Sequence, residues 1–356
     1  MRRTRILVDS LADETTFNAQ MTSARDIVAR LNPDKFDVRI FHVSEPDPRI
    51  VKRPNTRLIA LPQRRQTVRI LREFLLGDHD ILFYVKSSPA AKLYFSVRSV
   101  WRDRRVTIGT VESQSDWRNE PTIKAEQISL WEQTILRCDY LFSNSHSVKR
   151  SLQAEYGLPS EVVATGVDAS YFTPAFDRAP NLRPRVLFVG SLRPFKGPQF
   201  LLEGAARFSE ADFVIAGDGF MAAELEQRAE RERLGNVRFA RGLPADALRE
   251  QYRQADIFLF PSKWEGSPKV ILEAAACGLP VIARGAYEPE TVINDETGYL
   301  VTGNDELFAR LNQLIASPAQ RVAMGRAGRA HAEKFDWDLI TRQWEDIFLR
   351  LAPRKS

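Results

Sequence analysis

The sequence predicts an α/β protein with two doubly wound parallel sheets, and three observations lead to this fold class. Short apolar runs alternate with helical patterns, which is typical of a parallel sheet covered by helices on both faces. The length of 356 residues suits two domains, each with its own core. An irregular, proline-containing stretch at 171–184 interrupts the alternation once, as a linker would. We therefore predict one domain at 1–178 and a second at 179–337, facing a cleft, with a helix at about 338–356 packing back on the first.

Strands are predicted from short apolar runs, and helices from apolar residues that recur every three or four positions. In the first domain the predicted strands are 6–9, 38–43, 57–61, 81–85, 106–110, 140–144 and 162–164. In the second domain they are 185–189, 212–216, 237–240, 256–260, 280–283 and 298–301. Helical spacing is found at 22–31, 68–75, 125–136 and 337–351. Because such sheets bind ligands beyond the carboxyl ends of their strands, we expect functional residues in the loops that follow the strands.

The composition excludes several classes of protein. With 44% hydrophobic and 27% charged residues, the chain is neither fibrous nor disordered. Two cysteines, Cys138 and Cys277, cannot form a disulfide framework, and no Cys/His spacing suggests zinc, which favours a reducing compartment. No apolar run approaches the about 18 residues of a membrane span, and the basic start leads directly into a strand, unlike a signal peptide. We expect a soluble, cytoplasmic protein.

Positive charge is concentrated in the first domain, where residues 49–105 hold 14 Lys/Arg against 4 Asp/Glu, a local net charge of +10. Such a region attracts phosphate-rich partners. Nucleic acid is disfavoured because no reader motif accompanies the charge. Two interpretations stay open: a solvated face over the sheet, or amphipathic stretches that dock on an anionic membrane surface. The cations that interleave with apolar residues are Arg64, Arg65, Arg69, Arg72, Lys92, Arg98, Arg102, Arg104 and Arg105.

The first candidate motif is G-S-L-R-P-F-K-G at 190–197, between a predicted strand and a helix. Glycines at such a turn let backbone N–H groups approach a phosphate, and the helix N-terminus adds positive potential. Arg193 and Lys196 would neutralise a diphosphate. The alternative is an ordinary turn with two solvated cations.

The second candidate motif contains two carboxylates, Glu265 and Glu273, eight residues apart after a predicted strand. Glu265 lies in the loop, and Glu273 falls about two helical turns later on roughly the same face. Such a pair can hold hydroxyls of a sugar and a ribose at once. The alternative is a helix-capping Glu265 and an exposed Glu273. The backbone N–H groups expected to point at a ligand are those of Ser267, Lys269 and Val270, since Pro268 has none.

The third motif, G-x-G-x-x-A at 217–222, matches the fingerprint of a dinucleotide-binding turn and would indicate an NADP-dependent oxidoreductase. It follows the second strand of its domain, whereas the fingerprint belongs after the first. Two D-x-D patterns, 78–80 and 336–338, are better explained as structural than as metal ligands. We predict no metal site.

Together, in order and spacing, these motifs resemble the retaining, nucleotide-sugar-dependent transferases of glycosyltransferase family 4, whose GT-B fold has two Rossmann-like domains facing a cleft. The resemblance covers about 138–345 and is tightest over 186–303. The stretches that carry it are 190–197, Gly217-Asp218-Gly219, 265–283 and 297–301, with T-G-V-D and Phe172 at the domain junction.

The resemblance implies roles for individual residues in an acceptor-binding first domain and a donor-binding second domain. Lys196, beside Gly190 and Ser191, would bind the donor diphosphate and stabilise the leaving group. Glu265 would contact the transferred sugar and Glu273 the ribose. The other implied donor contacts are Gly217, the nucleobase loop Arg241-Gly242-Leu243, and Ser267, Pro268, Lys269 and Val270. We expect no tightly bound cofactor, and a metal is unnecessary if Lys196 and Arg193 supply the charge.

Three departures from the family pattern are visible. The arginine usual after the first glycine of the phosphate loop is Ser191 here, so we expect Arg193 to substitute for it. The glycine-rich turn usual after the first strand is missing at 9–18. Where many members place a histidine near the reacting centre, this chain has Glu112.

The implied reaction moves a sugar from a UDP-, GDP- or ADP-type donor to a hydroxyl of a glycan or lipid-linked saccharide, in cell-surface polysaccharide or glycoconjugate synthesis. The enzyme would be cytoplasmic and peripheral at the inner face of the membrane. A tailoring transferase that acts on a small natural product is the nearest alternative. The NADP-dependent oxidoreductase and a non-catalytic basic binding module are alternatives from other classes, which the spacing of Glu265 and Glu273 disfavours.

Overall fold

A computed structural model describes residues 2–15, 19–101, 103–114, 118 and 123–353. The chain divides into two compact units, which are described one at a time. The first comprises Met1–Thr165 and Trp337–Ser356, and the second comprises Gly166–Asp336. Arg102, part of residues 9–18 and the basic end of the chain lie outside the described residues.

The first unit contains a seven-stranded parallel sheet in the order β3-β2-β1-β4-β5-β6-β7. Its strands are β1 (Thr4–Leu11), β2 (Phe36–His42), β3 (Thr56–Ala60), β4 (Ile81–Phe83), β5 (Val106–Val111), β6 (Tyr140–Ser143) and β7 (Glu161–Val162). Its helices are α1 (Ala19–Arg30), α2 (Pro48–Lys52), α3 (Gln66–Leu76), α4 (Pro89–Trp101), α5 (Ala125–Glu132), α6 (His146–Tyr156) and α13 (Trp337–Leu351).

Apolar side chains cover both faces of this sheet because successive residues of a strand point to opposite sides. In β1, Ile6 and Val8 pack with α1 and α13, whereas Leu7 packs on the other face with residues of α3 and α4. The strand is therefore a nearly continuous apolar run, as a doubly covered parallel sheet requires.

Helix α13 completes the core of the first unit although it follows the whole of the second unit in sequence. The ring of Trp344 lies 4.8 Å from that of Phe83 between centroids, and Phe348 lies at the same distance from Phe83. The backbone N–H of Asn32 donates to Glu345 at 2.6 Å. The amphipathic spacing of the terminal segment is explained by these contacts.

The second unit contains a six-stranded parallel sheet in the order β10-β9-β8-β11-β12-β13. Its strands are β8 (Arg185–Val189), β9 (Asp212–Ala216), β10 (Val237–Ala240), β11 (Ile257–Phe260), β12 (Val281–Arg284) and β13 (Gly298–Val301). Its helices are α7 (Gln199–Arg207), α8 (Ala222–Arg231), α9 (Ala245–Gln254), α10 (Lys269–Ala276), α11 (Asn304–Ala316) and α12 (Pro318–Ala332). The predicted fold class of two doubly wound parallel sheets is confirmed.

The second unit begins at Gly166, before the break placed near residue 178 by the sequence. Val167 is buried in a cluster with Leu272 and Ala332, and its N–H donates to the carbonyl of Phe335 at 2.9 Å. Arg178 donates to Asp256 at 2.6 Å. The irregular stretch is thus held by the second unit, because Arg178 finds its partner there and Phe172 packs against the same buried cluster as Val167.

Two further observations concern the described residues. None of their helices combines the length and apolar character needed to cross a membrane. The thiols of Cys138 and Cys277 are both free, and neither cysteine is exposed.

Candidate active site

The loops that follow β8 and β9 in the second unit are joined along the carboxyl edge of its sheet. The N–H of Gly190 donates to the carbonyl of Ala216 at 3.0 Å, and the N–H of Leu192 donates to the carbonyl of Asp218 at 2.8 Å. Met221 donates back to the carbonyl of Leu192 at 3.2 Å. The phosphate-loop motif and the G-x-G motif therefore form one continuous surface.

Gly217 makes this close approach of the two loops possible. A Cβ atom at Gly217 would lie 1.9 Å from the carbonyl oxygen of Gly190, and its φ of 150° is one that other residues rarely adopt. A Cβ at Gly219 would likewise lie 2.6 Å from the carbonyl oxygen of Leu192. The packing of the two loops therefore explains the G-x-G spacing, which does not require a bound dinucleotide.

Lys196 and Glu265 form an ion pair between the loop after β8 and the loop after β11. Ser262 donates to the same carboxylate oxygen of Glu265 at 2.6 Å. The side chains of Lys196 and Glu265 are only 18% and 13% exposed. Charged side chains that are this buried need a partner of opposite charge, and Lys196 and Glu265 are partners for each other. Glu265 is therefore not a helix cap, since its carboxylate bonds to Lys196 and Ser262.

Two aromatic rings hold these loops together. Phe195 and Trp264 stack with centroids 4.0 Å apart and planes within 9°. The N–H of Lys263 donates to the carbonyl of Phe195 at 2.8 Å. The ammonium of Lys196 lies 5.2 Å from the Phe195 ring centroid and 5.3 Å from that of Phe260. The sequence motifs did not reveal Phe195, Trp264 or Ser262 as supports of the pair.

Glu273 is held by a different partner, on α10. Its Oε2 accepts a hydrogen bond from the hydroxyl of Tyr252 at 2.8 Å. Tyr252 is fully buried, and burial together with the negative charge of Glu273 raises its pKa well above the usual range. Burial, assisted by Glu273, also raises the pKa of Cys277 to about 12. The structure thus fixes both carboxylates of the predicted pair, each through its own neighbour.

Helix α10 starts at Lys269, immediately after Ser267 and Pro268, and Pro268 at its N-cap makes no side-chain capping hydrogen bond. The first N–H groups of a helix have no partner within the helix and carry partial positive charge. Ser267 and Val270 lie at this helix start. That their N–H groups face a ligand stays a prediction.

The loop after β10 carries the predicted nucleobase residues. Arg241 donates to Asp218 at 2.9 Å and lies 3.5 Å from a carboxylate oxygen of Glu226, and its side chain is half-exposed. The hydrogen bond from Arg241 lowers the pKa of Asp218. Gly242 follows in a left-handed conformation, and Leu243 packs against the apolar core. Arg241 thus links this loop to the G-x-G loop.

Arg193 and Ser191 are exposed on the loop after β8. Within the described residues, the Arg193 side chain makes no hydrogen bond or ion pair. The structure therefore places it on the same loop as Lys196 but does not bring it to a carboxylate.

Glu112, in the first unit, directly follows β5. The hydroxyl of Tyr84 donates to its carboxylate, and Asn144 donates to its backbone carbonyl at 3.2 Å. Tyr84 is buried, and burial and the charge of Glu112 raise the pKa of Tyr84 well above its usual range. A small cavity beside this pair is lined by Ser23, Tyr84, Thr110, Glu112, Asn144 and Trp337. The resemblance to the family indicated Glu112 as the residue in place of a histidine, but it did not indicate Tyr84.

Comparisons with a family model and with curated proteins agree on one family. The model of the family described as glycosyl transferases group 1 matches residues 174–331. A GDP-mannose-dependent alpha-(1-6)-phosphatidylinositol monomannoside mannosyltransferase of Mycolicibacterium smegmatis is 30% identical over 332 residues, 85% of this chain and 83% of that relative. A D-inositol 3-phosphate glycosyltransferase of Kribbella flavida is 34% identical over 239 residues, 59% of this chain but only 56% of that relative.

Solved structures resemble the whole chain at low identity. A sucrose-phosphate synthase from Thermosynechococcus elongatus superposes with a TM-score of 0.79 at 20% identity, covering 98% of this chain and 99% of that one. The Anabaena protein Alr3699/HepE, in complex with UDP, gives a TM-score of 0.75 at 16% identity, covering 98% of this chain and 100% of that one. At these identities the superpositions establish the GT-B fold.

The chain belongs to the group 1 glycosyl transferases. It is a glycosyltransferase that uses a nucleotide sugar. The NADP-dependent oxidoreductase hypothesis is wrong, because the chain belongs to a family of glycosyltransferases. The non-catalytic binding module is excluded with it.

Proposed function

We propose that the protein is a retaining glycosyltransferase that moves a sugar from a nucleotide-diphosphate sugar to a hydroxyl of a glycan or lipid-linked saccharide. The Lys196–Glu265 pair carries the proposal, because it places a cation for a diphosphate against a carboxylate for sugar hydroxyls. The mannosyltransferase relative, whose name specifies GDP-mannose and a phosphatidylinositol monomannoside, supports this class of donor and acceptor. Cell-surface polysaccharide or glycoconjugate synthesis is the process that fits.

In the proposed reaction, the bond between the sugar C1 and the diphosphate oxygen breaks, and its electron pair stays on the diphosphate. The acceptor hydroxyl oxygen attacks C1 from the same face, and its proton passes to the departing diphosphate. Negative charge therefore grows on the diphosphate while the sugar becomes oxocarbenium-like. Fixed cations and N–H dipoles directed at that charge lower the barrier most.

Lys196 is the cation best placed for this task, since aromatic rings and the Phe195–Trp264 stack restrict its position. Arg193, exposed and without a carboxylate partner within the described chain, would supply the second positive charge. With two such cations the donor needs no metal ion. The start of α10 at 267–270 would add N–H dipoles.

Glu265 and Glu273 would contact the sugar and the ribose of the donor. Binding of the diphosphate would draw Lys196 away from Glu265, which leaves the carboxylate oxygen to accept sugar hydroxyls. Tyr252 fixes the Glu273 carboxylate before the donor arrives. The Asp218–Arg241 pair would hold the nucleobase loop at 241–243 in place.

An anionic membrane surface is the proposed partner of the first unit. Helices α3 and α4 pack together, with the Phe74 and Tyr94 rings 5.6 Å apart, and leave Val68, Leu76 and Val100 well exposed. Several nearby cations are internally paired, such as Arg98 with Asp139. Exposed cations that have no ion pair within the described residues are Arg64, Arg65, Arg72, Lys92 and Arg104. Unpaired cations beside exposed aliphatic side chains suit anionic lipid.

The test of the donor site is a thermal-shift panel of UDP, GDP, ADP and NADP, measured once with EDTA and once with Mg²⁺. A ligand at about 100 times its dissociation constant adds about 2.7 kcal/mol to the stability of the folded state. We expect one nucleoside diphosphate to stabilise the wild type and to lose that effect in Lys196→Ala. Lys263→Ala is the matched control, because Lys263 is exposed on the neighbouring loop. A shift that needs a divalent metal, or that survives in Lys196→Ala, would contradict the proposed metal-free diphosphate site.

A further inference from the structure

The sheet of the first unit reverses its strand order between β1 and β4. From β1 the chain runs to β2 and β3 on one side, and it returns to β4 on the other. Open parallel sheets bind ligands beyond the carboxyl ends of the strands at such a switch point. Asp9 lies in the last part of β1, and Lys86 lies just beyond β4.

Asp9 and Lys86 are neighbours with unused hydrogen-bonding capacity. The Oδ2 of Asp9 accepts the backbone N–H of Lys86 at 2.8 Å. Within the described residues, neither Asp9 Oδ1 nor the Lys86 ammonium has a hydrogen bond or an ion pair. Asp9 is only 4% exposed, and Lys86 is half-buried. Both groups are largely withdrawn from water and do not satisfy each other, so each has hydrogen-bonding capacity left for a polar ligand.

Two features of the region around Asp9 and Lys86 destabilise the folded state. Burial raises the pKa of Asp9 to about 6, and burial lowers the pKa of Lys86 against the attraction of Asp9 and Asp13. Tyr84, two residues before Lys86, has a φ of 62°, a left-handed conformation that is rare for an aromatic residue. Strain and buried charge gathered in one place are typical of a functional site.

The mixed charge of the pair selects the chemistry of its ligand. A phosphate facing Lys86 would also face the carboxylates of Asp9 and Asp13, and a metal ion facing Asp9 would meet the ammonium of Lys86. Two vicinal hydroxyls satisfy both groups, because one can donate to the carboxylate and the other can accept from the ammonium. Sugars and cyclitols offer such pairs of hydroxyls.

We propose that Asp9 and Lys86 form a subsite that binds vicinal hydroxyls of a neutral polyol, the sugar or cyclitol part of the acceptor. The proposal deepens the proposed function and rests on it. It places acceptor recognition at the β1/β4 switch point, on residues that the family motifs do not include.

Saturation-transfer NMR on the full chain tests the subsite with myo-inositol and methyl α-D-mannopyranoside as probes. Asp9→Asn and Lys86→Met keep the shapes of the side chains while removing the charges. Asp34→Asn and Lys149→Met are matched controls, since both residues are exposed on the same unit. Nucleoside diphosphate binding is measured on every sample by thermal shift, which also shows that each variant is folded.

We expect wild type and controls to bind at least one probe, and both subsite variants to bind it about tenfold or more weakly, as the loss of a charged hydrogen bond implies. Their nucleotide binding should stay at the wild-type level. If the wild type binds neither probe, or if a folded subsite variant binds as tightly as the controls, the subsite proposal is overturned. Absence of nucleotide binding in the wild type would instead overturn the proposed function, so the two failures are distinguishable.

Discussion

The carboxyl edges of the two sheets differ in whether certain neighbouring side chains of opposite charge form ion pairs. In the second unit Lys196 pairs with Glu265 and Arg241 pairs with Asp218, although Arg193 on the same edge is unpaired within the described residues. In the first unit Asp9 and Lys86 share a position without forming an ion pair. The proposed diphosphate site is thus assembled in advance, whereas the proposed acceptor subsite keeps hydrogen-bonding groups that a ligand can satisfy. Substitutions of Glu265 and Asp9 distinguish the two arrangements, and substitutions of Trp344 and Arg72 test other features of the first unit.

The largest effect is expected from Trp344→Ala, which removes a ring from the core between α13 and the first sheet. Loss of a buried tryptophan costs about 3–5 kcal/mol. Denaturant unfolding should show this loss, while nucleotide binding by the second unit persists under native conditions. Leu339→Ala, on the exposed side of the same helix, should cost far less. Equal losses in the two variants would contradict the assigned role of α13.

Glu265→Gln should lower turnover on the order of 10²-fold, comparable to losing one transition-state contact. The same change should tighten binding of the free nucleoside diphosphate, because Lys196 is no longer held by a carboxylate. Steady-state kinetics and calorimetric titration measure the two effects. Weaker diphosphate binding in this variant would show that the pair does not compete with the ligand.

Asp9→Asn should stabilise the protein above about pH 6. The pKa of Asp9 rises from 3.8 to about 6 on folding, so the folded state holds the proton more tightly and stability falls as the pH rises through this window. The full pKa shift corresponds to about 3 kcal/mol of unfolding free energy. The variant recovers only part of it, because its side-chain amide is also buried. Unfolding of wild type and variant should differ at about pH 8 and converge at about pH 4. A variant less stable than wild type at the higher pH would contradict the assigned burial cost.

The smallest effect is expected from Arg72→Gln on binding to anionic vesicles. One cation near such a surface contributes about 1 kcal/mol, or roughly fivefold in affinity. Sedimentation with phosphatidylserine-containing vesicles measures it, and Lys149→Gln on α6 is the control. Equal weakening by both substitutions would indicate a non-specific charge effect.

Within the described residues the sequence predicted each of the thirteen strands, since nearly all are short apolar runs between turns. It also identified the loops that carry Lys196, Glu265 and Arg241, because glycines and charged residues recur there at fixed spacing. The sequence placed the boundary between the two units too late in the chain. The stretch at 171–184 lacks periodicity and was therefore interpreted as a linker, but its contacts with Asp256 and α10 assign it to the second unit.

The supporting residues were harder to predict. Ser262, Trp264 and Tyr252 act through contacts between segments far apart in the chain, and no local pattern encodes such contacts. Asp9 and Lys86 lie 77 residues apart and meet only because β1 and β4 are neighbours in the sheet.

Because α13 belongs to the first unit, the second unit is an insertion within it, from Gly166 to Asp336. During synthesis the second unit can complete its own core as soon as α12 emerges. The core of the first unit stays incomplete, without Trp344 and Phe348, until α13 has been made. The chain is therefore expected to fold in reverse of its sequence order, with the second unit finished first and the first unit sealed last.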